Sequence, residues 1–197
     1  FKSLIKIVRI IGGINKGRNL IGLGTGEPSA HLRPTSDRVR ESIFNLITGG
    51  RFGNKLENGH ILDLFAGTGA LGLEALSRGA KSAIFVDNGQ LAVQLLRKNI
   101  SICNVESKTK VIKSDATKKL PILSKNYFDT VFIDPPYGKE LGQRALKILL
   151  KYELLSEETL IILEEGNQIN SIENFFIKDC RRYGSSYAHF LTLKKIL

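Results

Sequence analysis

The sequence has few acidic residues for its content of basic ones. Its 197 residues include 29 lysines and arginines but only 19 aspartates and glutamates, which gives a formal net charge of +10 at pH 7. An excess of this size favours a polyanionic partner, either nucleic acid or an acidic membrane surface. The excess is concentrated in residues 1–40, where eight bases and two acids give a net charge of +6.

Cysteine, histidine and long apolar runs are also scarce. The two cysteines, Cys103 and Cys180, are far apart, and the three histidines are scattered, so no metal site is predicted. This cysteine usage is typical of reduced thiols in a cytoplasmic protein. Uncharged apolar runs are too short to cross a membrane, and Lys6 and Arg9 interrupt any signal-peptide core. Because the chain begins at Phe1, we expect its natural start to lie upstream.

The remaining composition is that of an ordinary globular protein. Apolar residues make up 42% of the chain and charged residues 24%, which excludes disorder, collagen and coiled coil. The length fits one domain, or one domain with an appendage.

The first fifty residues predict a β-hairpin followed by a helix. Residues 4–24 are rich in β-forming residues, and Gly12 and Gly13 interrupt them at a turn. A helix is expected from Thr35 or Ser36, either of which can cap it, to the glycine pair at 49–50.

From residue 61 onward, predicted strands alternate with predicted helices. This alternation indicates a parallel sheet that is covered by helices on both faces. Strands are predicted at 61–65, 83–87, 110–113, 130–134 and 159–164, helices near 67–78, 91–100 and 141–152, and a closing antiparallel hairpin at 173–195.

A glycine-rich segment follows the first of these strands. Residues 63–72 read Asp-Leu-Phe-Ala-Gly-Thr-Gly-Ala-Leu-Gly, and Gly67, Gly69 and Gly72 match the spacing of a dinucleotide-binding loop. Such glycines let the backbone turn tightly and approach a ligand closely. The spacing alone suits a dinucleotide about as well as another nucleotide-like cofactor.

Carboxylates near this loop favour S-adenosylmethionine. A carboxylate at Asp63 suits the ammonium group of that donor and offers nothing to a pyrophosphate. Asp87, at the end of the next predicted strand, can accept hydrogen bonds from ribose hydroxyls of either cofactor. Asp115, after the third strand, can accept from the adenine amino group, although a surface turn explains it nearly as well.

The most informative motif is Asp134-Pro135-Pro136-Tyr137 at the end of a buried strand. Asp134 can accept one hydrogen from an exocyclic amine, and the Pro135 carbonyl can accept the other. Two acceptors orient the nitrogen lone pair and stabilise the positive charge that develops on nitrogen. Tyr137 supplies a flat surface on which a base can stack.

These motifs resemble the class I S-adenosylmethionine-dependent methyltransferases that modify exocyclic amines, over about residues 58–165. The resemblance implies a Rossmann-like, doubly wound α/β sheet and S-adenosylmethionine as the methyl donor. It also implies a set of donor-binding residues: Asp63, Phe65, Ala66, Gly67, Thr68, Gly69, Asp87, Asn88, Asp115 and Ala116. The catalytic set that it implies is Asp134, Pro135, Pro136 and Tyr137.

Segments 9–13, 16–18 and 32–45 further resemble the signature of the RsmD family, and extend the likeness over nearly the whole chain. That resemblance implies a mostly parallel seven-stranded sheet with a C-terminal antiparallel hairpin and an N-terminal β-hairpin extension. It implies a division into an RNA-binding extension (1–50) and a methyltransferase domain (51–197). The implied reaction methylates the N2 amine of a guanine in 16S ribosomal RNA of the small subunit. We expect the enzyme to be a cytoplasmic monomer without a membrane partner.

The basic N-terminal residues then acquire a role. Arg38 and Arg40 lie near a helix start, where the macrodipole disfavours cations, so RNA phosphates are the expected partners. The predicted RNA-binding residues are Arg9, Lys16, Arg18, Arg33, Arg38 and Arg40.

Three alternatives remain open from the sequence. The same amine motif serves methylation of adenine N6 in DNA or RNA, although no target-recognition domain of a DNA enzyme is visible. A basic RNA-binding module with a vestigial nucleotide fold is a second alternative, which the three intact aspartates disfavour. A dinucleotide oxidoreductase is the third, and nothing after Asp87 resembles a hydride-transfer site.

Overall fold

The computed structural model of the protein describes residues 8–22, 36–121 and 128–195. Among the predicted site residues, Arg33 lies outside these ranges. The elements, in chain order, are β1 (Val8–Arg9), β2 (Asn19–Leu20), α1 (Asp37–Thr48), β3 (His60–Leu64), α2 (Ala70–Ser77), β4 (Ser82–Asp87), α3 (Gln90–Cys103), a short 3-10 helix (Glu106–Lys108), β5 (Thr109–Lys113), β6 (Thr130–Ile133), α4 (Leu141–Lys151), β7 (Leu160–Glu165), β8 (Phe175–Tyr183) and β9 (Ser186–Leu193).

The main sheet has seven strands in the order β5-β4-β3-β6-β7-β9-β8. The first five are parallel, whereas β9 pairs antiparallel with both β7 and β8. The chain runs outward from β3 to β5 and then returns to β6 on the other side of β3. The predicted α/β class, with a mostly parallel sheet and a closing hairpin, is confirmed.

Helices cover both faces of this sheet. On one face α1, α2 and α3 bury Phe44, Leu73 and Leu96 in a single apolar core. On the other face α4 contributes Ala145 and Leu146 to a second core. All four residues of β6 are buried, because this central strand is covered from both sides. Its apolar run follows from that position.

The N-terminal hairpin β1-β2 is held on α2 by buried polar groups. Glu74, which has no exposed surface, accepts hydrogen bonds from the backbone N–H groups of Ile11 at 2.7 Å and Gly12 at 2.8 Å. The Arg78 guanidinium also donates to Glu74, at 2.7 Å. Gly13 has a φ of +75°, and a Cβ atom there would lie 1.8 Å from the Ser77 carbonyl oxygen, so only glycine fits.

The hairpin and α1 also share the apolar core of the first sheet face. Val8, Ile43 and Phe44 belong to it, and the Phe44 ring lies 5.5 Å from that of Phe132 in the sheet. These contacts cross the predicted boundary at residue 50. One apolar core therefore continues across this boundary, and the division into 1–50 and 51–197 stays a prediction about function.

The described part of the chain contains no helix that is long and apolar enough to cross a membrane.

Replacing Glu74 with alanine should destabilise the fold strongly. The change leaves two backbone N–H groups and the Arg78 guanidinium without their acceptor, a loss that typically costs about 3–5 kcal/mol for a buried charge pair. Urea unfolding of Glu74→Ala measures this cost. The matched control is Glu158→Ala, which removes an exposed ion pair with Lys55 and should leave stability nearly unchanged, because solvent screens that pair. Equal stability of the two variants would show that the hairpin is not held through Glu74.

Candidate active site

The predicted site residues lie along one edge of the sheet. Leu64 of β3 is paired with Val86 of β4 on one side and with Ile133 of β6 on the other. The next residues, Phe65, Asp87 and Asp134, therefore leave the sheet in one row. Because adjacent strands lie about 4.8 Å apart, the backbones at positions 87 and 134 are roughly 10 Å apart, on either side of the glycine loop. β3 and β6 are parallel neighbours from which the chain adds strands in opposite directions across the sheet. This reversal of strand order makes the carboxyl edge beside them the usual ligand site of such sheets.

Two glycines of the loop are required by close packing. Gly69 has a φ of +81° just before α2, and a Cβ atom there would lie 2.4 Å from a Leu96 methyl carbon. A Cβ atom on Gly72 would lie 2.3 Å from the Phe85 ring. Gly67 differs, since its φ is +55° and the nearest atom to a Cβ there is the Phe65 carbonyl oxygen at 3.9 Å. The space beside Gly67 is thus open to a ligand.

Asp63 supports this loop from within. Its carboxylate accepts the N–H of Gly72, in the first turn of α2, at 2.9 Å, and only 2% of the residue is exposed. The prediction that Asp63 meets the ammonium group of the donor is corrected accordingly, because a side chain this buried offers no surface for that contact. Burial, with a smaller contribution from the charge of Asp87, raises the pKa of Asp63 to about 8.

Asp87 holds the loop from the neighbouring strand. One carboxylate oxygen accepts the Gly67 N–H at 2.8 Å, and the other accepts the Gly89 N–H at 2.8 Å, at the start of α3. The side chain is half-buried at the sheet edge, so it remains accessible to ribose hydroxyls. The direct contact of Asp87 and of the adjacent, exposed Asn88 with a cofactor stays a prediction.

Asn99 of α3 is a third support, which the sequence analysis missed. It is fully buried, and its amide nitrogen donates to the Thr68 carbonyl oxygen at 2.9 Å. The same side chain accepts from the Ile21 N–H at 2.7 Å and donates to the Ile21 carbonyl at 3.0 Å. A polar residue on the apolar face of a predicted helix was the available signal.

Asp115 caps the turn that follows β5. One of its oxygens accepts from the Thr117 hydroxyl at 2.6 Å and the Thr117 N–H at 2.9 Å. These bonds to Thr117 outweigh partial burial and lower the pKa of Asp115, with help from Lys118 at 3.4 Å. Ala116 is buried. A contact between Asp115 and adenine stays a prediction.

The amine motif follows β6 directly. Asp134 is half-buried, Pro135 is buried, and Tyr137 is 43% exposed. The Tyr137 hydroxyl donates to Glu164 at 2.7 Å, and the Ser186 hydroxyl donates to the same oxygen at 3.1 Å.

Glu164, at the end of β7, is a second residue that the sequence analysis missed. Glu164 is 6% exposed. Partial burial of Tyr137, together with the negative charges of Glu164 and Asp134, raises the pKa of the Tyr137 hydroxyl above its usual range. Gly166 leaves room for the ring, since a Cβ atom there would lie 3.3 Å from the Tyr137 Cβ. The ring of Tyr137 is therefore fixed at one edge and exposed elsewhere.

The predicted RNA-binding residues have different environments. Lys16 and Arg38 are exposed, and the exposed Arg9 forms an ion pair with Asp37 at 2.7 Å. Arg18 donates to the Ile102 carbonyl.

Arg40 corrects the prediction made for it. Only 1% of it is exposed, and it donates to Asp37 at 2.7 Å and to the Arg9 carbonyl at 2.8 Å. Its guanidinium stabilises the start of α1 against β1 and has no surface for a phosphate.

The residues along this edge fit S-adenosylmethionine better than a phosphorylated cofactor. The strand ends present the carboxylates of Asp87, Asp115 and Asp134, which suit hydroxyl, amino and sulfonium groups and repel phosphates. The open space beside Gly67 gives such a ligand access to the loop.

The raised pKa of Asp63 makes the stability of the ligand-free protein depend on pH. The folded protein keeps a proton on Asp63 that the unfolded chain releases above its ordinary pKa of 3.8. Stability contributed by the neutral acid is therefore complete below that pKa and is lost as the pH rises through about 8. Asp63→Asn should remove this dependence, so that the variant gains about 4 kcal/mol relative to the wild type between about pH 5 and pH 8.

Urea unfolding of both proteins at the two pH values measures the difference. Asp115→Asn is the control, because the lowered pKa of Asp115 leaves it ionised in both states over this range. An identical pH response of the wild type and Asp63→Asn would show that Asp63 is ionised in the folded protein.

Comparisons with known proteins agree with this geometry. A family model described as conserved hypothetical protein 95 matches residues 8–192. The ribosomal RNA small subunit methyltransferase D of Escherichia coli is 36% identical over 157 residues, which cover 80% of this chain and 74% of that protein. The protein of the same name from Buchnera aphidicola is 34% identical over 174 residues, or 87% of this chain and 82% of that protein.

Solved structures give the same result. The Escherichia coli protein yhhF superposes with a TM-score of 0.79 and 30% identity, over 95% of this chain and 98% of that chain. The Haemophilus influenzae protein HI0767 gives a TM-score of 0.76 and 29% identity, over 96% of this chain and 99% of that chain. The sequence match and the shared fold extend from the hairpin to the last strand, and the chain therefore belongs to the RsmD family.

Proposed function

We propose that the protein transfers a methyl group from S-adenosylmethionine to the N2 amine of a guanine in 16S ribosomal RNA of the small subunit. The observation that carries this proposal is the row formed by the glycine loop and Asp134, on adjacent strands at one edge of the sheet. A cofactor on the loop and a base at the amine motif would be neighbours there. The relatives named ribosomal RNA small subunit methyltransferase D support an RNA substrate.

The loop side of the edge holds the donor. Gly67 and its neighbours Phe65, Ala66, Thr68 and Gly69 form the backbone surface, and Asp87 with Asn88 accepts the ribose hydroxyls. Asp115 and Ala116 border the adenine. When bound, the donor would supply a methyl group on a positively charged sulfur. The amine nitrogen would bond to the methyl carbon as the carbon–sulfur bond breaks, the sulfur would leave as a neutral thioether, and the methylated nitrogen would lose one proton.

The amine side of the edge orients the base. Asp134 and the Pro135 carbonyl accept the two amine hydrogens, and Pro136 keeps the turn rigid because it lacks an N–H. Tyr137 stacks on the base, and Glu164 and Gly166 fix the plane of its ring. The target guanine has to leave its stack to reach this edge, as in other enzymes that modify bases.

The basic hairpin region supplies affinity for the RNA backbone. Lys16 and Arg38, with Arg9, Arg18 and Arg33, are the residues that we assign to phosphate contacts. Such contacts position the RNA and give little choice of base. The substrate is the small subunit or an assembly intermediate, so the reaction takes place in the cytoplasm. The protein acts as a monomer, because the single row of site residues needs no second copy of the chain.

Asp134→Ala should reduce methyl transfer at least about 100-fold, because the variant lacks an acceptor that stabilises the charge developing on nitrogen. Donor binding, measured by calorimetry, should change little, since the loop is held by other residues. Transfer of labelled methyl groups to unmodified small subunits measures the reaction. Glu140→Ala, an exposed acid near the same edge, is the matched control and should retain turnover. Full turnover by Asp134→Ala would remove Asp134 from the mechanism.

Analysis of the product nucleosides tests the choice of amine. We expect labelled N2-methylguanosine from the small subunit. Labelled N6-methyladenosine would overturn the assignment to guanine and leave the donor site intact.

Lys16→Ala and Arg38→Ala should each weaken RNA binding at all sequences alike. Each variant should lower the slope of log affinity against log salt by about 1, because one fewer counterion is released. Binding assays over a salt series measure the slope. Lys151→Ala, an exposed lysine at the end of α4, is the control, and a similar loss in that variant would show general electrostatic attraction instead of an interface.

A further inference from the structure

We propose that Asn99 is a positioning residue that couples the N-terminal hairpin to the glycine loop, so that RNA on the hairpin and the methyl donor on the loop strengthen each other's binding. This inference rests on the proposed function of both elements. It assigns a role to a residue that touches neither the RNA nor the donor.

Asn99 joins two segments that are far apart in sequence. Its amide uses both donor hydrogens and its oxygen at once: two bonds bind the Ile21 backbone, and one binds the Thr68 carbonyl. Full burial keeps these bonds in a medium where an unmade hydrogen bond is expensive. A shift of Ile21 or of Thr68 therefore disturbs the same side chain.

The loop needs such a support at Thr68. This residue lies between Gly67 and Gly69, which both have positive φ values. Glycines restrict the orientation of a peptide group weakly. One backbone bond holds the peptide that carries the Thr68 carbonyl, from the Gly69 N–H to the Ala66 carbonyl at 2.7 Å, and the bond from Asn99 holds the carbonyl side of the same peptide. Asp87 holds the Gly67 N–H, and Asn99 holds the carbonyl of the next residue. Besides its own backbone bond, the turn is thus held by one side chain from β4 and one from α3.

The hairpin is rigid enough to transmit a change. Glu74 and the Ser77 hydroxyl bind its turn, and Arg18 binds the Ile102 carbonyl at the end of α3. Ile21 follows β2 directly and lies close in sequence to Lys16 and Arg18. RNA phosphates that restrain these two basic side chains therefore also restrain Ile21. A ligand that orders the glycine loop restrains Ile21 from the other side, through Asn99. Such coupling is reciprocal in the two affinities.

The test is a thermodynamic cycle of donor binding and RNA binding, measured on the full chain. The dissociation constant for S-adenosylmethionine is determined with and without small-subunit RNA, and that for RNA is determined with and without S-adenosylmethionine. In the wild type we expect each ligand to tighten the other by the same factor, about 5-fold or more. Asn99→Ala should weaken donor binding about 10-fold and abolish the coupling.

Ile100→Ala is the control for lost stability. This neighbouring residue on α3 is buried in the apolar core, and its truncation should destabilise the fold by a similar amount. It has no polar group for the loop, so donor affinity and coupling should stay at the wild-type level. Equal effects of the two variants would overturn the proposal and make Asn99 a merely structural residue.

Hydrogen exchange of the wild type keeps the proposal testable if Asn99→Ala does not fold. Added donor should slow exchange of the Ile21 amide, whose N–H is bonded to Asn99. Unchanged exchange at Ile21, or the absence of coupling in the wild type, would refute the proposal. Failure of the wild type to bind donor at all would instead refute the proposed function.

Discussion

The hydrogen bonds that hold the glycine loop at the end of β3 are the constraint on which the site depends. The loop must bring backbone close to a ligand, and its glycines permit that approach at the expense of rigidity. Asp63, Asp87 and Asn99 restore the rigidity from β3, β4 and α3, each by accepting or donating at a different peptide group. The loop is therefore shaped by the sheet and its helices before any ligand binds, which reduces the ordering that binding requires.

The strand order then places two kinds of chemistry side by side. Because β6 returns next to β3, the motif that begins at Asp134 leaves the sheet adjacent to the loop. A loop connection cannot fix two groups as firmly as adjacent paired strands do. The turn after β6 is stiffened by two prolines, and its tyrosine is fixed by a glutamate from β7, the next strand outward. Three consecutive strands thus position the glycine loop, Asp134 and Tyr137, and in the proposed reaction this would align donor, nitrogen and base and so lower the barrier for transfer.

The sequence predicted the elements well because each one satisfies local rules. Strand ends carried polar residues, helices began after capping residues such as Ser36, and the buried run of β6 had no other place in such a fold. The predictions failed where the direction of a side chain had to be inferred from the residue type alone. Asp63 and Arg40 are ionisable residues near the loop and near a helix start, but their side chains turn inward to bind backbone groups and neighbouring side chains. Asn99 and Glu164 were missed because their partners come from other elements, and no local pattern encodes those contacts.

Two buried charged side chains, Glu74 and Arg40, hold the basic N-terminal segment in a fixed place on the rest of the fold. A buried glutamate holds the hairpin turn, and a buried arginine joins α1 to β1. Burying each of these charges costs desolvation free energy, and such a pair typically stabilises a fold no more than well-packed apolar residues would. What they provide is a single arrangement, since a hydrogen-bonded charge tolerates fewer positions than an apolar contact does. The RNA-binding surface that we propose would then stand at a constant distance from the glycine loop. Phosphate contacts that carry no sequence information would in that way still determine which nucleotide can reach the row that contains Asp134.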